Sequence, residues 1–391
     1  DEANDTISLN KYGTPSTISL EYSVDKKTWT DYTWDGNTGA TITLANVGDN
    51  VWFRGDNNTI SNNSVYYQFT ITSEIYVSGN IMSMLSKNCS KTAIPAWCFR
   101  YMFKGSRILT SPDMPVVQAD EHGCEYMFEN CTSLKMPPKL PATIIEADCY
   151  RSMFKGCTAL LEAPELPATK LGAYCYEKMF AGCTSLRKAY ALPAKSLPSY
   201  AYSYMFWSCS SLTVAPEIYA TSANYSNACF CMFYECANLE IVPLLNASGI
   251  NYSAYRSMFK KCTKLKYIHT NQTTFDGCET WLDSVSAVGV FDCKSTLDTS
   301  TRGVSTVPEG WIVTHVAKEP DTSTTATIEA VSTDTYTVCP SGQNTGVVTV
   351  SSALTLNAYP TSVNEIAYAE IVLDVATGAT VTAGTNLTLV D

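Results

Sequence analysis

Apolar side chains return along this chain on a long period. The dipeptide Met-Phe stands at Met102, Met127, Met153, Met179, Met205, Met232 and Met258, with spacings of 25, 26, 26, 26, 27 and 26 residues. Four residues after each Met comes Cys131, Cys157, Cys183, Cys209, Cys236 or Cys262, with Ser106 in the first copy. Seven after each comes Leu109, Leu134, Leu160, Leu186, Leu212, Leu239 or Leu265. In one copy, Leu171, Cys175, Tyr176, Met179, Phe180 and Cys183 fall within half of a helix drawn at about 100° per residue, with Glu177, Lys178 and Ala181 on the other half. Each Met-Phe segment is therefore expected to be helical. The runs that begin at the recurring Leu, such as Leu186 to Leu192 and Leu212 to Ile218, read as short strands. Pro164, Pro216 and Pro243 shorten them further, because proline has no ladder donor.

A period of roughly 20–29 residues with regularly placed Leu is the signature of leucine-rich repeats, in which stacked units share one continuous core. The expected class is α+β: a leucine-rich-repeat solenoid of about seven repeats of about 26 residues. Strand-type alternation flanks it on both sides, in SLEYSVDKKTWTDYTW, ATITLANVGDNVWFRG and VYYQFTIT before it, and in GVVTVSSALTLNAYP, AEIVLDV and ATVTAGTNLTLV after it. The domains expected are a β-sandwich-like domain at 1–74, the solenoid with terminal caps at 75–314, and an immunoglobulin-like β domain at 315–391.

The string C-Y-x-x-M-F-x-G-C-T-x-L followed by A-P-x-L-P-A, complete at 149–168 and largely repeated at 175–194, resembles the BspA-like leucine-rich repeats of anaerobic bacteria. The resemblance spans about residues 95–270, and the segments 281–293 and 307–313 are similar to the cap that closes such arrays. It implies a bacterial surface protein, often lipid-anchored, that adheres to or recognises proteins or glycans. The array departs from the pattern between 205 and 262, where part of A-P-x-L-P-A is lost and Cys229 and Cys231 enter.

Charge narrows the partners. The net charge of −11 divides into −6 for residues 1–74, +2 for 75–314 and −7 for 315–391, so no segment offers the basic stripe that nucleic acid requires. No run of about 18 apolar residues spans a bilayer. Membrane contact is expected only through a lipid anchor lost together with an export signal, and the setting expected is extracellular or cell-surface, as in an outer-membrane lipoprotein.

No catalytic residue, metal ligand or cofactor site is expected. Cys229 and Cys231 lack the second pair that zinc needs. His122, His269 and His315 belong to no hydrolase motif, although a Cys–His pair could still meet in space. Glu162 and Glu165 read as solvated charge rather than a glycosidase pair. Arg54-Gly55-Asp56 spells an integrin-type tripeptide but runs out of a strand-like Val51-Trp52-Phe53. The repeat cysteines lie eight residues apart within a copy, about 12 Å along a helix, and are expected to be buried thiols rather than disulfides. Ligand binding is placed on outward residues of the strand face: Arg187, Lys188, Tyr190, Glu217, Tyr219, Tyr267 and His269. A protein ligand is expected first, with a glycan as the alternative.

Overall fold

The computed structural model describes residues 5–13, 18–223, 225–250 and 253–315, and beyond them the backbone of five strands between 335 and 383. The chain forms two compact units, one of residues 1–291 with 297–313 and the other of 292–296 with 314–391.

The first unit opens with two small antiparallel sheets. Asp5–Tyr12 lies between Ile42–Leu44 and Tyr66–Ile71, and Leu20–Ser23 lies between Thr30–Asp31 and Trp52–Gly55. Alternation along Asp5–Tyr12 turns Ile7 and Leu9 inward onto Leu20, Tyr32, Ile42, Tyr67 and Phe69, all buried. The Tyr32 hydroxyl donates to the Ala40 carbonyl at 2.6 Å and accepts the Leu9 amide at 2.7 Å, so its burial leaves no polar atom stranded. Gly39 is required there, because a Cβ would lie 2.1 Å from the Leu9 carbonyl oxygen.

The repeats build a β-solenoid, and the expected helical half is not helical. Among the described residues no α-helix occurs; the single helical element is the 3₁₀ turn Ile81–Met84. The α+β expectation is thereby corrected to an almost wholly β architecture. The cause is a left-handed backbone at every fourth residue: His122, Tyr126 and Asn130 in one coil, Asp148, Ser152 and Gly156 in the next. Such a residue breaks the i to i−4 pattern of an α-helix.

The backbone finds two other sets of partners. The amides of Cys124, Tyr126, Phe128 and Asn130 donate to the next coil, to the carbonyls of Cys149, Arg151, Met153 and Lys155 at 2.7–3.0 Å. The intervening amides of Glu125, Met127, Glu129 and Cys131 close tight turns three residues back at 3.0–3.2 Å. Every amide in the segment is satisfied, half within the coil and half between coils.

Stacking puts like on like. Phe103, Phe128, Phe154, Phe180, Phe206, Phe233 and Phe259 form a column of parallel rings with centroids 5.3–5.7 Å apart. Beside it, each repeat thiol donates to the phenylalanine carbonyl of the coil before: Cys157 Sγ to Phe128 O and Cys183 Sγ to Phe154 O, both at 3.1 Å. The described cysteines other than Cys293 form no disulfide, and all described cysteines except Cys89 are buried, as expected for thiols used as small core groups. Glu177 and Ala181, expected on the outer half of a helix, are buried too.

The other sides of each coil carry very short parallel ladders. Ala93–Ile94, Gln118–Ala119, Ile144–Ile145 and Lys170–Leu171 pair in register. The expected strands Leu186–Leu192 and Leu212–Ile218 shrink to isolated bridges, Glu162 with Lys188, Leu192 with Ile218, Val214 with Ile241 and Ile218 with Leu245, because the neighbouring prolines supply no amide. Longer strands form at Ile241–Leu245 and Tyr267–Thr270. The array closes on buried Trp281 and Trp311, whose indole N–H groups donate to Thr306 O at 2.9 Å and Ser286 O at 2.8 Å.

In the second unit the strands alternate between two parallel sheets: Thr335–Val338, Ala353–Ala358 and Thr380–Ala383 in one, Gly346–Val350 and Ile371–Val375 in the other. Parallel neighbours differ from the antiparallel sheets of the immunoglobulin-like domain expected at 315–391. Cys339 lies outside the described residues.

Candidate functional site

The face that carries the Leu-initiated segments collects two clusters of the same composition. In one, Lys188 Nζ lies 2.7 Å from Glu162 Oε1 and 3.1 Å from the Tyr190 hydroxyl, and that hydroxyl also donates to Glu162. The ammonium sits 4.6 Å from the Tyr190 ring centroid. In the other, the Tyr219 hydroxyl donates to Glu217 while Lys195 Nζ lies 5.0 Å above the ring. The parallel bridge between Leu192 and Ile218 sets the two clusters side by side.

Electrostatics follow from these contacts. Hydrogen bonds from Lys188 and Tyr190 hold the Glu162 carboxyl below its ordinary range, and the same contacts raise Lys188. The Glu217 carboxylate beside it, helped by partial burial, pushes the Tyr219 phenol up to about 12. Each cluster thus combines a carboxylate, a lysine and a tyrosine whose hydroxyl proton is directed at that carboxylate. That set suits multipoint polar contact with a ligand surface.

Of the residues expected on this face, Arg187 and Lys188 are exposed, while Tyr190, Glu217, Tyr219 and His269 are half-buried at the surface. Tyr267 is a correction: it is 3% exposed and faces the core. It pairs in register with Ile241, which is likewise buried, and its neighbour Ile268 is buried too, so the strand does not alternate at this point.

The face formed by the turn segments carries chemistry that periodicity did not single out. Trp97 stacks on His122 with centroids 3.8 Å apart, His122 Nδ1 is 3.0 Å from Glu125 Oε2, and His122 Nε2 is 3.9 Å from Asp148 Oδ2. His122, Glu125 and Asp148 could offer ligand atoms within 4.8 Å of one another to a metal ion. However, Arg100 lies 3.0 Å from Glu125, and Arg151 lies 3.1 Å from Asp148 and 2.8 Å from Glu177. The guanidinium groups already neutralise the carboxylates that an ion would need. Burial outweighs the cations and raises the carboxyl groups of Glu125 and Asp148, so the cluster behaves as a structural charge network.

Other candidates are absorbed by the fold. Cys229 is fully buried and its thiol is raised by desolvation, with Cys231 raised in the same direction, so neither offers the thiolate that zinc takes. Cys293 Sγ and His315 Nδ1 approach to 3.7 Å, but Cys293 is fully buried and beyond reach of a substrate. Glu165 is exposed, and Glu162 is committed to Lys188 and Tyr190. Arg54 stacks on Trp29 at 3.7 Å and pairs with Glu21 at 2.7 Å, so the Arg-Gly-Asp triplet is not displayed as a free loop. Among the described residues, no helix is long and apolar enough to cross a membrane.

No family model, no curated protein and no solved structure matches this chain.

Proposed function

We propose that this chain is a non-enzymatic recognition protein of the bacterial cell surface, of the BspA-like leucine-rich-repeat kind, which binds a protein ligand through the Leu-initiated face of its solenoid. The observation that carries the reading is the pair of adjacent Tyr–Glu–Lys clusters, Tyr190 with Glu162 and Lys188, and Tyr219 with Glu217 and Lys195. Tyrosine offers contact area at low entropic cost, and a backbone tied coil to coil holds the clusters in place before binding. Arg187 and His269 extend the face on either side. Its setting is extracellular, held to the surface by a lipid anchor.

The test is capture of labelled mucosal proteins and of a glycan array by the full chain, beside a Tyr190→Ala/Tyr219→Ala variant. A protein bound by the native chain and lost by the variant supports the proposal. Retention that survives protease digestion of the target assigns the site to a glycan instead, and equal capture by both chains removes it from this face.

A further inference from the structure

A cavity of about 660 Å³ opens where the first β sheets meet the first coils, between strand Trp52–Gly55, the Tyr66–Ile71 strand and the segment 75–84. This size is typical of pockets that hold small organic ligands, roughly 300–1,000 Å³. Its walls mix apolar and polar groups, with Phe53, Phe69, Ile75, Val77 and Phe103 forming the apolar part. Tyr76 and Val47 stand at it 69% and 67% exposed, an arrangement that water disfavours and an apolar occupant would relieve.

The polar groups around it are unequally occupied. Arg54 and Lys87 both pair with Glu21 at 2.7 Å, Asp49 accepts the Asn46 amide at 2.9 Å, and Asp5 is buried and bonded to Ser73. Lys26 differs: it is exposed, its ammonium lies 4.8 Å from the Trp52 ring centroid, and it has no carboxylate partner among the described residues. The indole N–H groups of Trp29 and Trp52 likewise have no acceptor among the described residues, whereas those of Trp34, Trp281 and Trp311 are hydrogen-bonded. A chamber with an apolar wall, one cation without a carboxylate partner and two indole donors without acceptors is complementary to a molecule with an apolar body and a single anionic, hydrogen-bond-accepting head.

We infer that this cavity binds a small amphiphilic carboxylate, its apolar body on Phe53, Phe69 and Val77 and its carboxylate at Lys26. The site is independent of the tyrosine face and does not depend on the reading of that face.

The experiment is isothermal titration of the full chain with dodecanoate below its micellar range, beside dodecyltrimethylammonium and maltohexaose. Dodecanoate is expected to saturate one site and to bind about tenfold more tightly than the cationic amphiphile, the value of one charge-assisted contact. Lys26→Glu, a change at an exposed position, is expected to abolish that preference while leaving the melting temperature unchanged. Val77→Trp, which puts a bulky ring on the wall where the apolar body would lie, is expected to weaken binding of both amphiphiles. No saturable uptake of dodecanoate, uptake insensitive to Lys26→Glu, or preference for maltohexaose would overturn the inference. Should Val77→Trp fail to fold, the charge-preference comparison with Lys26→Glu decides alone.

Discussion

The Ser106 hydroxyl donates to the Phe69 carbonyl at 3.1 Å, in the place where each later coil has a cysteine thiol on the phenylalanine carbonyl before it. Phe69 belongs to the Tyr66–Ile71 strand, yet its ring stacks on Phe103 with centroids 5.2 Å apart and its amide donates to Met102 O at 2.7 Å. The first sheets thus supply the opening rung of the phenylalanine column. Ser106, which interrupts the run of cysteines, marks the junction where the column passes from strand to coil.

A solenoid needs a covered end, so this rung should matter more than an ordinary core contact. Phe69→Ala is expected to cost about 3–5 kcal/mol, the usual range for removing a buried phenylalanine. Ser106→Cys, which restores the repeat's own residue, is expected to be close to neutral. Guanidinium unfolding of the two variants checks both, and a Phe69→Ala chain as stable as the native one would show that the column does not begin in the sheet.

The thiol column makes a prediction about alkali. Desolvation raises Cys131, Cys183 and Cys236 from the ordinary 9.0 to about 12. The unfolded chain therefore loses thiol protons first as the pH rises, and stability falls between about 9 and 12, being fully present below that window. Urea midpoints measured across this window should drop, and Cys157→Ser and Cys183→Ser should flatten the drop, because serine keeps the hydrogen bond, as Ser106 does, and does not titrate there. At pH 8 a thiol reagent should modify native Cys89, which is half-buried, and leave the fully buried column cysteines untouched.

Why the turns passed for helices is visible in one coil. Cys124, Met127, Phe128 and Cys131 are spaced as i, i+3, i+4 and i+7, which an α-helix and a run of four-residue turns satisfy equally. Buried positions were therefore legible and the backbone path was not. A partial signal was Gly105, Asn130, Gly156 and Gly182 three residues after Met, all left-handed, although Ser208, Glu235 and Lys261 take the same conformation in the later copies. The strand face was legible for Tyr190 and Tyr219 but not for Tyr267, because Tyr267 and Ile268 are both buried and the strand does not alternate there. The cavity beside Phe53 and Val77 joins segments distant in sequence, and no local pattern announces it.

That glycine column can be tested directly. Gly182 has φ 75°, and a Cβ there would have space, meeting only Gly156 at 3.8 Å. Gly182→Ala is expected to cost about 1 kcal/mol through the left-handed backbone alone, and Gly182→Asn less, because asparagine tolerates that region and already occupies it at Asn130. Equal thermal midpoints for Gly182→Ala and the native chain would mean that the turn relaxes freely.

The buried charges of the turn face give a prediction whose sign depends on pH. Arg151 touches Glu177 at 2.8 Å and Asp148 at 3.1 Å, with Glu125 at 3.9 Å, and both glutamates are at most 5% exposed. Arg151→Met keeps the bulk and removes the cation, leaving carboxylates desolvated without it. The loss at neutral pH is expected to be about 3–5 kcal/mol. Burial already raises Glu125 and Asp148, and loss of the guanidinium raises them further, so the folded variant takes up protons before the unfolded chain does. Its stability should therefore recover relative to the native chain as the pH falls through the carboxylate range. Chemical unfolding of both chains from pH 7 down to pH 4 reads this out. A deficit that stays constant over that range would mean that Arg151 contributes packing rather than charge.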